Sequence, residues 1–161
     1  MTTDLGIDVV SFGGTKNGFI MGEAIVVLNP TLSERARQEL KYIRKQSAQL
    51  PSKTRFIAAQ FNRYFDQGLY IEIARHSVTM AENLYQKLKS ISQISITRPR
   101  QSNAVFVVIP KPWVKKLREH SFFYVWDEKT FECRLMTSFD TQENEIDSFV
   151  DLVKNLSESS T

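Results

Sequence analysis

At 161 residues, 42% of them hydrophobic and 24% charged, the chain has the balance of a globular protein with one ordinary core, which excludes disorder as the default. Its net charge of +3 and pI near 9.0 are a small basic excess interleaved with acids, the pattern of an ordinary surface and not of a nucleic-acid-binding one. The single cysteine, Cys133, excludes an internal disulfide, leaves no Cys/His metal spacing and points to a reducing, cytoplasmic setting, while no apolar run approaches about 18 residues and MTTDLGID lacks the features of an export signal, so membrane and secretory readings drop out.

Taken in order, Ile7 to Phe12 is rich in β-branched and aromatic residues and reads as a buried strand that Gly13-Gly14 stops abruptly. Lys16 follows in the glycine-rich turn GGTKNG. A lysine held at a strand end and shielded from water tends to give up its proton, and the neutral amine can condense with a carbonyl as a Schiff base. A lysine beside Gly-Gly is also what an ordinary solvated turn contains. Ala24 to Leu28, AIVVL, is a continuous apolar run, the mark of a strand covered on both faces. Two such strands cannot complete the sheet they imply, so their neighbours are expected from a partner or from chain beyond these residues.

Asn29-Pro30 punctuates, and Thr31 with Glu34 has capping-box spacing, which predicts a basic helix to about Gln49. After Leu50-Pro51, Ser52 is a candidate cap for a second helix through Phe65. Arg55 falls in its first turn, where exposed backbone amides favour anions such as phosphate, although an exposed arginine needs no such role. Beyond Gly68 a long helix carries Leu69, Ile73, Met80, Leu84 and Leu88 at helical period, with His76 among polar residues.

From Ser92 the pattern turns to short strands, about 94–97, 104–109, 122–126 and 131–137, with helices at 111–120 and 142–156. This order fits an antiparallel sheet backed by helices. In FECRLMT, alternation puts Phe131, Cys133 and Leu135 on one face and Glu132, Arg134 and Met136 on the other. Arg134 therefore points away from the apolar face, where a role as solvated cross-strand partner for Glu132 accounts for it. Asn103 needs no role beyond a strand-end hydrogen bond, and Tyr124 and Trp126 are expected in core or interface packing.

SFGGTKNG, then GEAIVVLN, RKQSAQLPSKTRFIAAQF, SNAVFVVIP and CRLMTSFDT, resembles the low-specificity L-threonine aldolase family of fold-type I pyridoxal-phosphate enzymes, over the carboxyl-terminal half of such an enzyme. The resemblance implies an α/β to α+β chain with three parts. Residues 1–29 end the large cofactor-binding domain, 30–67 are connecting helices, and 68–161 form a small antiparallel sheet backed by helices. It implies that Lys16 holds pyridoxal phosphate as a Schiff base, that Arg55 helps to hold its phosphate and that Arg134 takes the substrate α-carboxylate. The approach PSKTRF is longer and lysine-bearing where some members are glycine-rich.

The implied reaction cleaves β-hydroxy-α-amino acids such as threonine or allo-threonine to glycine and an aldehyde, with the cofactor as electron sink. The phosphate loop, ring-stacking histidine and pyridine-facing carboxylate of the family belong before Met1, and neither His76 nor His120 lies in the matching motif. The isolated chain is therefore expected to show little activity and to act as a homo-oligomer or with a complementing amino-terminal half. The alternatives are a noncatalytic binding or oligomerisation module and, on charge alone, a nucleic-acid-binding domain.

Overall fold

A computed structural model describes residues 3–159. The chain divides into two compact units, one ending at Tyr70 and one beginning at Ile71. The architecture is mixed, a two-stranded hairpin with helices followed by a small sheet-and-helix subdomain.

In the first unit, β1 (Val9–Gly13) and β2 (Glu23–Val27) form an antiparallel hairpin with Val9 opposite Val27 and Gly13 opposite Glu23. Phe12 turns toward α2 (Thr54–Phe65), where its ring meets Phe61 at 6.2 Å and Phe65 at 5.4 Å. Phe19 packs edge-on against Phe61 and Tyr64 at 4.8 and 5.2 Å. Edge-to-face pairs of this kind contribute about 0.5–1.5 kcal/mol each beyond burial. Within this unit one face of the hairpin is uncovered: Ile25, which alternation places opposite the Phe12 face, is 65% exposed. Among the described residues the two strands pair only with each other, which leaves no second layer over Ile25.

α1 (Pro30–Gln46) starts earlier than the Thr31–Glu34 spacing predicts. Asn29 caps it, accepting from the Thr31 and Leu32 amides at 2.8 and 3.4 Å, while Pro30 supplies a preset first turn. The helix also ends earlier than predicted, since Ala48 takes a left-handed φ of 53°. α2 has Lys53 at its cap position with no side-chain bond, so Ser52 does not cap it.

The second unit holds most of the buried side chains. Its sheet runs β3 (Ser95–Ile96), β4 (Ala104–Val108), β6 (Glu132–Met136), β5 (Tyr124–Asp127), antiparallel throughout. Val105, Val107, Cys133 and Leu135 share one core cluster with residues of α3 (Leu69–Lys89), α4 (Lys111–His120) and α5 (Glu143–Glu158). The predicted α5 face, Ile146, Phe149, Val150 and Val153, is wholly buried. On α3 the inward stripe also includes Ser77 and Ala81, small residues that hydropathy alone does not mark.

A bulge between Val125 and Asp127 sets Asp127 opposite Glu132, so Trp126 is the extra residue of β5. Phe131 enters β6 with φ 58°, a left-handed conformation that closes the preceding turn.

Candidate functional site

Lys16 lies on a 3-10 turn, Thr15–Asn17, directly after β1. The turn is tied on every side. The Gly14 amide donates to the Gly22 carbonyl at 2.8 Å, and the Gly14 carbonyl accepts from the Asn17 and Phe19 amides at 2.9 and 3.3 Å. Asn17 Nδ2 donates to the Gly13 carbonyl at 3.0 Å, Thr15 Oγ1 donates to Glu23 Oε1 at 3.0 Å, and the Gly22 amide donates to Thr15 Oγ1 at 3.1 Å. Gly14 has no room for a side chain, since a Cβ there would meet the Phe19 ring at 2.4 Å. Gly18 follows at φ 93°, a conformation that favours glycine. The lysine itself is exposed in this chain and not shielded as the strand-end reading supposes.

Arg55 is exposed in the first turn of α2, with its guanidinium 5.0 Å from the Phe56 ring. Lys16 and Arg55 belong to the first unit and Arg134 to the second.

Arg134 sits in the middle of β6, opposite Phe106 on β4 and Tyr124 on β5. Its neighbours on the strand, Cys133 and Leu135, are buried in the core, which anchors β6 and turns Arg134 to the other face. There its guanidinium lies 4.8 Å from the Trp126 ring and 5.6 Å from Tyr124. Those rings are half exposed, so of the core or interface packing expected of them the core is ruled out. The predicted partner does not form: Glu132 binds Arg98, with Nη2 to Oε2 at 2.7 Å, and Thr97 Oγ1 donates to its Oε1 at 2.6 Å. The Thr97 hydrogen bond, then the Arg98 hydrogen bond and charge, hold the Glu132 carboxyl below its ordinary value against the opposing effect of burial. Arg134 Nε is buried with no hydrogen-bond partner. A guanidinium with a spare donor among aromatic rings can accept a planar anion.

Asn103 closes the end of the same strand pair, its Nδ2 donating to the Thr137 carbonyl at 2.7 Å. Thr137 in turn donates from Oγ1 to the Ser77 carbonyl at 2.7 Å, which ties β6 to α3. His76 is held by the Thr141 carbonyl at 2.8 Å, and His120 lies between the hydroxyls of Ser121 and Ser148, both at 2.9 Å. A cavity of about 180 Å³ in the second unit is lined by Leu84, Leu135 and Phe149 among others and does not include Arg134. The Arg98–Glu132 pair escapes sequence reasoning because its members stand 34 residues apart with no periodic link.

No protein-family model matches the chain. It is 34% identical over 143 residues to the low-specificity L-threonine aldolase of a Pseudomonas species, covering 89% of this chain and 40% of that protein. It is 33% identical over 136 residues to the low-specificity L-threonine aldolase of Pseudomonas aeruginosa, covering 84% of this chain and 38% of that one. A solved structure of Leishmania major threonine aldolase superposes with a TM-score of 0.80 at 30% identity, over 93% of this chain and 43% of that chain. The chain thus spans about two fifths of the length of the relatives it matches. Over that span, in sequence and in structure, it is homologous to the low-specificity L-threonine aldolases, a family of fold-type I pyridoxal-phosphate lyases.

Proposed function

We propose that the chain is part of a pyridoxal-phosphate-dependent lyase that cleaves β-hydroxy-α-amino acids to glycine and an aldehyde. The observation that carries the reading is Arg134, a guanidinium with an unpartnered buried Nε against two rings. Its fork suits an amino-acid carboxylate, and the relatives are named for that substrate class.

The donor set fits the cofactor at its reactive end. Lys16 supplies a primary amine on a turn too tightly bonded to wander, and Arg55 supplies a cation beside uncapped helix amides for the phosphate. Pyridoxal phosphate, when bound, supplies the electron sink for cleavage between the α and β carbons. The chain's own share is to present the amine at Lys16 Nζ and to fix the substrate carboxylate at Arg134, an orientation that selects which α bond breaks.

Threonine, allo-threonine and glycine are the ligands in this reading, and the active molecule is a homo-oligomer or a complex with a complementing amino-terminal half. Ile20 and Ile25, 90% and 65% exposed, favour such association. A cytoplasmic setting accords with one buried, unpaired cysteine. Among the described residues no helix is long and apolar enough to cross a membrane.

The test is a pyridoxal-phosphate titration of the purified chain, followed in the visible and repeated with Lys16→Ala. A saturable band that disappears in the variant and responds to glycine supports the reading. If no Lys16-dependent band forms, the chain on its own is catalytically empty, as the second reading, a noncatalytic association module, requires.

A further inference from the structure

Among the described residues Arg134 has two ring contacts and no ion pair, although Glu132 stands two residues away on the same face of the same strand. Side chains so placed start roughly 7 Å apart along a strand, a gap that glutamate and arginine together close easily. Glu132 carries its charge at neutral pH and is the natural competitor for any anion at Arg134.

Its carboxylate is engaged elsewhere. Arg98 holds both oxygens, Nη2 to Oε2 at 2.7 Å and Nε to Oε1 at 3.2 Å, and Thr97 adds a third bond. Arg98 is itself seated, 4.3 Å above the Phe106 ring, and Phe106 touches Trp126 edge-on at 5.9 Å. Two arginines therefore share one aromatic face, and only one of them receives the carboxylate.

We infer that Arg98 is a positioning residue that keeps Glu132 from neutralising Arg134. The inference rests on the reading of Arg134 as the carboxylate-binding residue, and it assigns to Arg98 a role that no contact with substrate requires. Without Arg98 the Glu132 side chain swings along the strand, pairs with the spare Nε of Arg134 and occupies the fork.

The test uses the full 15N-labelled chain and the Arg134 Nε–H signal, assigned by its loss in Arg134→Lys. Without ligand, Arg98→Leu is expected to shift this signal and slow its exchange with water, and Arg98→Leu/Glu132→Gln to return it to its original place. With sodium acetate as the probe, Arg98→Leu weakens binding roughly tenfold and the double variant restores it, as competition between two carboxylates for one fork requires. Arg98→Lys keeps the charge but loses the fork. It moves the signal the same way and replaces the leucine variant if that one does not fold. A ligand-free signal unmoved in the single variants, or one still displaced in the double variant, overturns the inference. If the ligand-free shifts appear while acetate leaves the wild-type signal untouched, Arg98 does hold Glu132 away and it is the carboxylate-site reading that fails.

Discussion

Replacing Arg134 by methionine separates a binding arginine from a structural one. Methionine keeps an unbranched apolar stem over the strand and removes the guanidinium. The loss is two ring contacts, at 4.8 and 5.6 Å, each contributing about 0.5–1 kcal/mol where the rings are partly exposed. The gain is relief of the buried, unpartnered Nε, a defect that costs about 1–3 kcal/mol. The two nearly cancel, so Arg134→Met is expected to stay within about 1 kcal/mol of the parent or to stabilise it slightly. The assay is urea unfolding by tryptophan fluorescence, because both tryptophans, Trp113 and Trp126, belong to the second unit. Acetate binding at that face should vanish in the same variant. A loss above about 2 kcal/mol would refute the reasoning, since it would mean that the guanidinium holds the sheet together.

The remaining predictions concern the core and the turn. Burial pushes the Cys133 thiol up from 9.0 to about 11, so the native state holds this proton more tightly than the unfolded chain does. Its contribution to stability is full below pH 9.0 and is lost as pH rises toward about 11. Urea midpoints should therefore fall between about pH 8 and about pH 10 more in the parent than in Cys133→Ala. Leu117→Ala empties a fully buried site on α4 and should cost about 2–5 kcal/mol in the same unfolding assay. Gly14→Ala drives a methyl into the Phe19 ring, which Phe61 and Tyr64 hem in at 4.8 and 5.2 Å. It should cost the first unit about 1–3 kcal/mol and speed hydrogen exchange at the Asn17 and Phe19 amides, both of which bond to Gly14.

Periodic features were legible in the sequence. The α5 face and the inward Cys133 and Leu135 follow from spacing alone, because one buried side repeats at 3.6 or 2.0 residues. Helix starts were less legible: Asn29 and Thr31 are both capping residues, and Pro30 between them decides for the earlier one. The surroundings of Arg134 were the hardest to read. Alternation gives its face, but the ring that lies nearest arrives through a one-residue bulge at Trp126, and the competing carboxylate is removed by Arg98 from another strand end. Neither event leaves a local pattern. The shielding expected of Lys16 was read from the strand before it, whereas exposure depends on the layers around that strand, and only one is present among the described residues.

The unequal cores of the two units have a consequence for synthesis. Among the described hydrophobic side chains of the first unit, only Phe19 and Tyr64 are buried, yet this unit leaves the ribosome before the second. Eighteen side chains of the second unit form the continuous core, which is not complete until Val153, the last of them in sequence, has emerged. The unit with the smaller core is thus made first, and its exposed Ile20 and Ile25 are open to another apolar surface before the larger core can form.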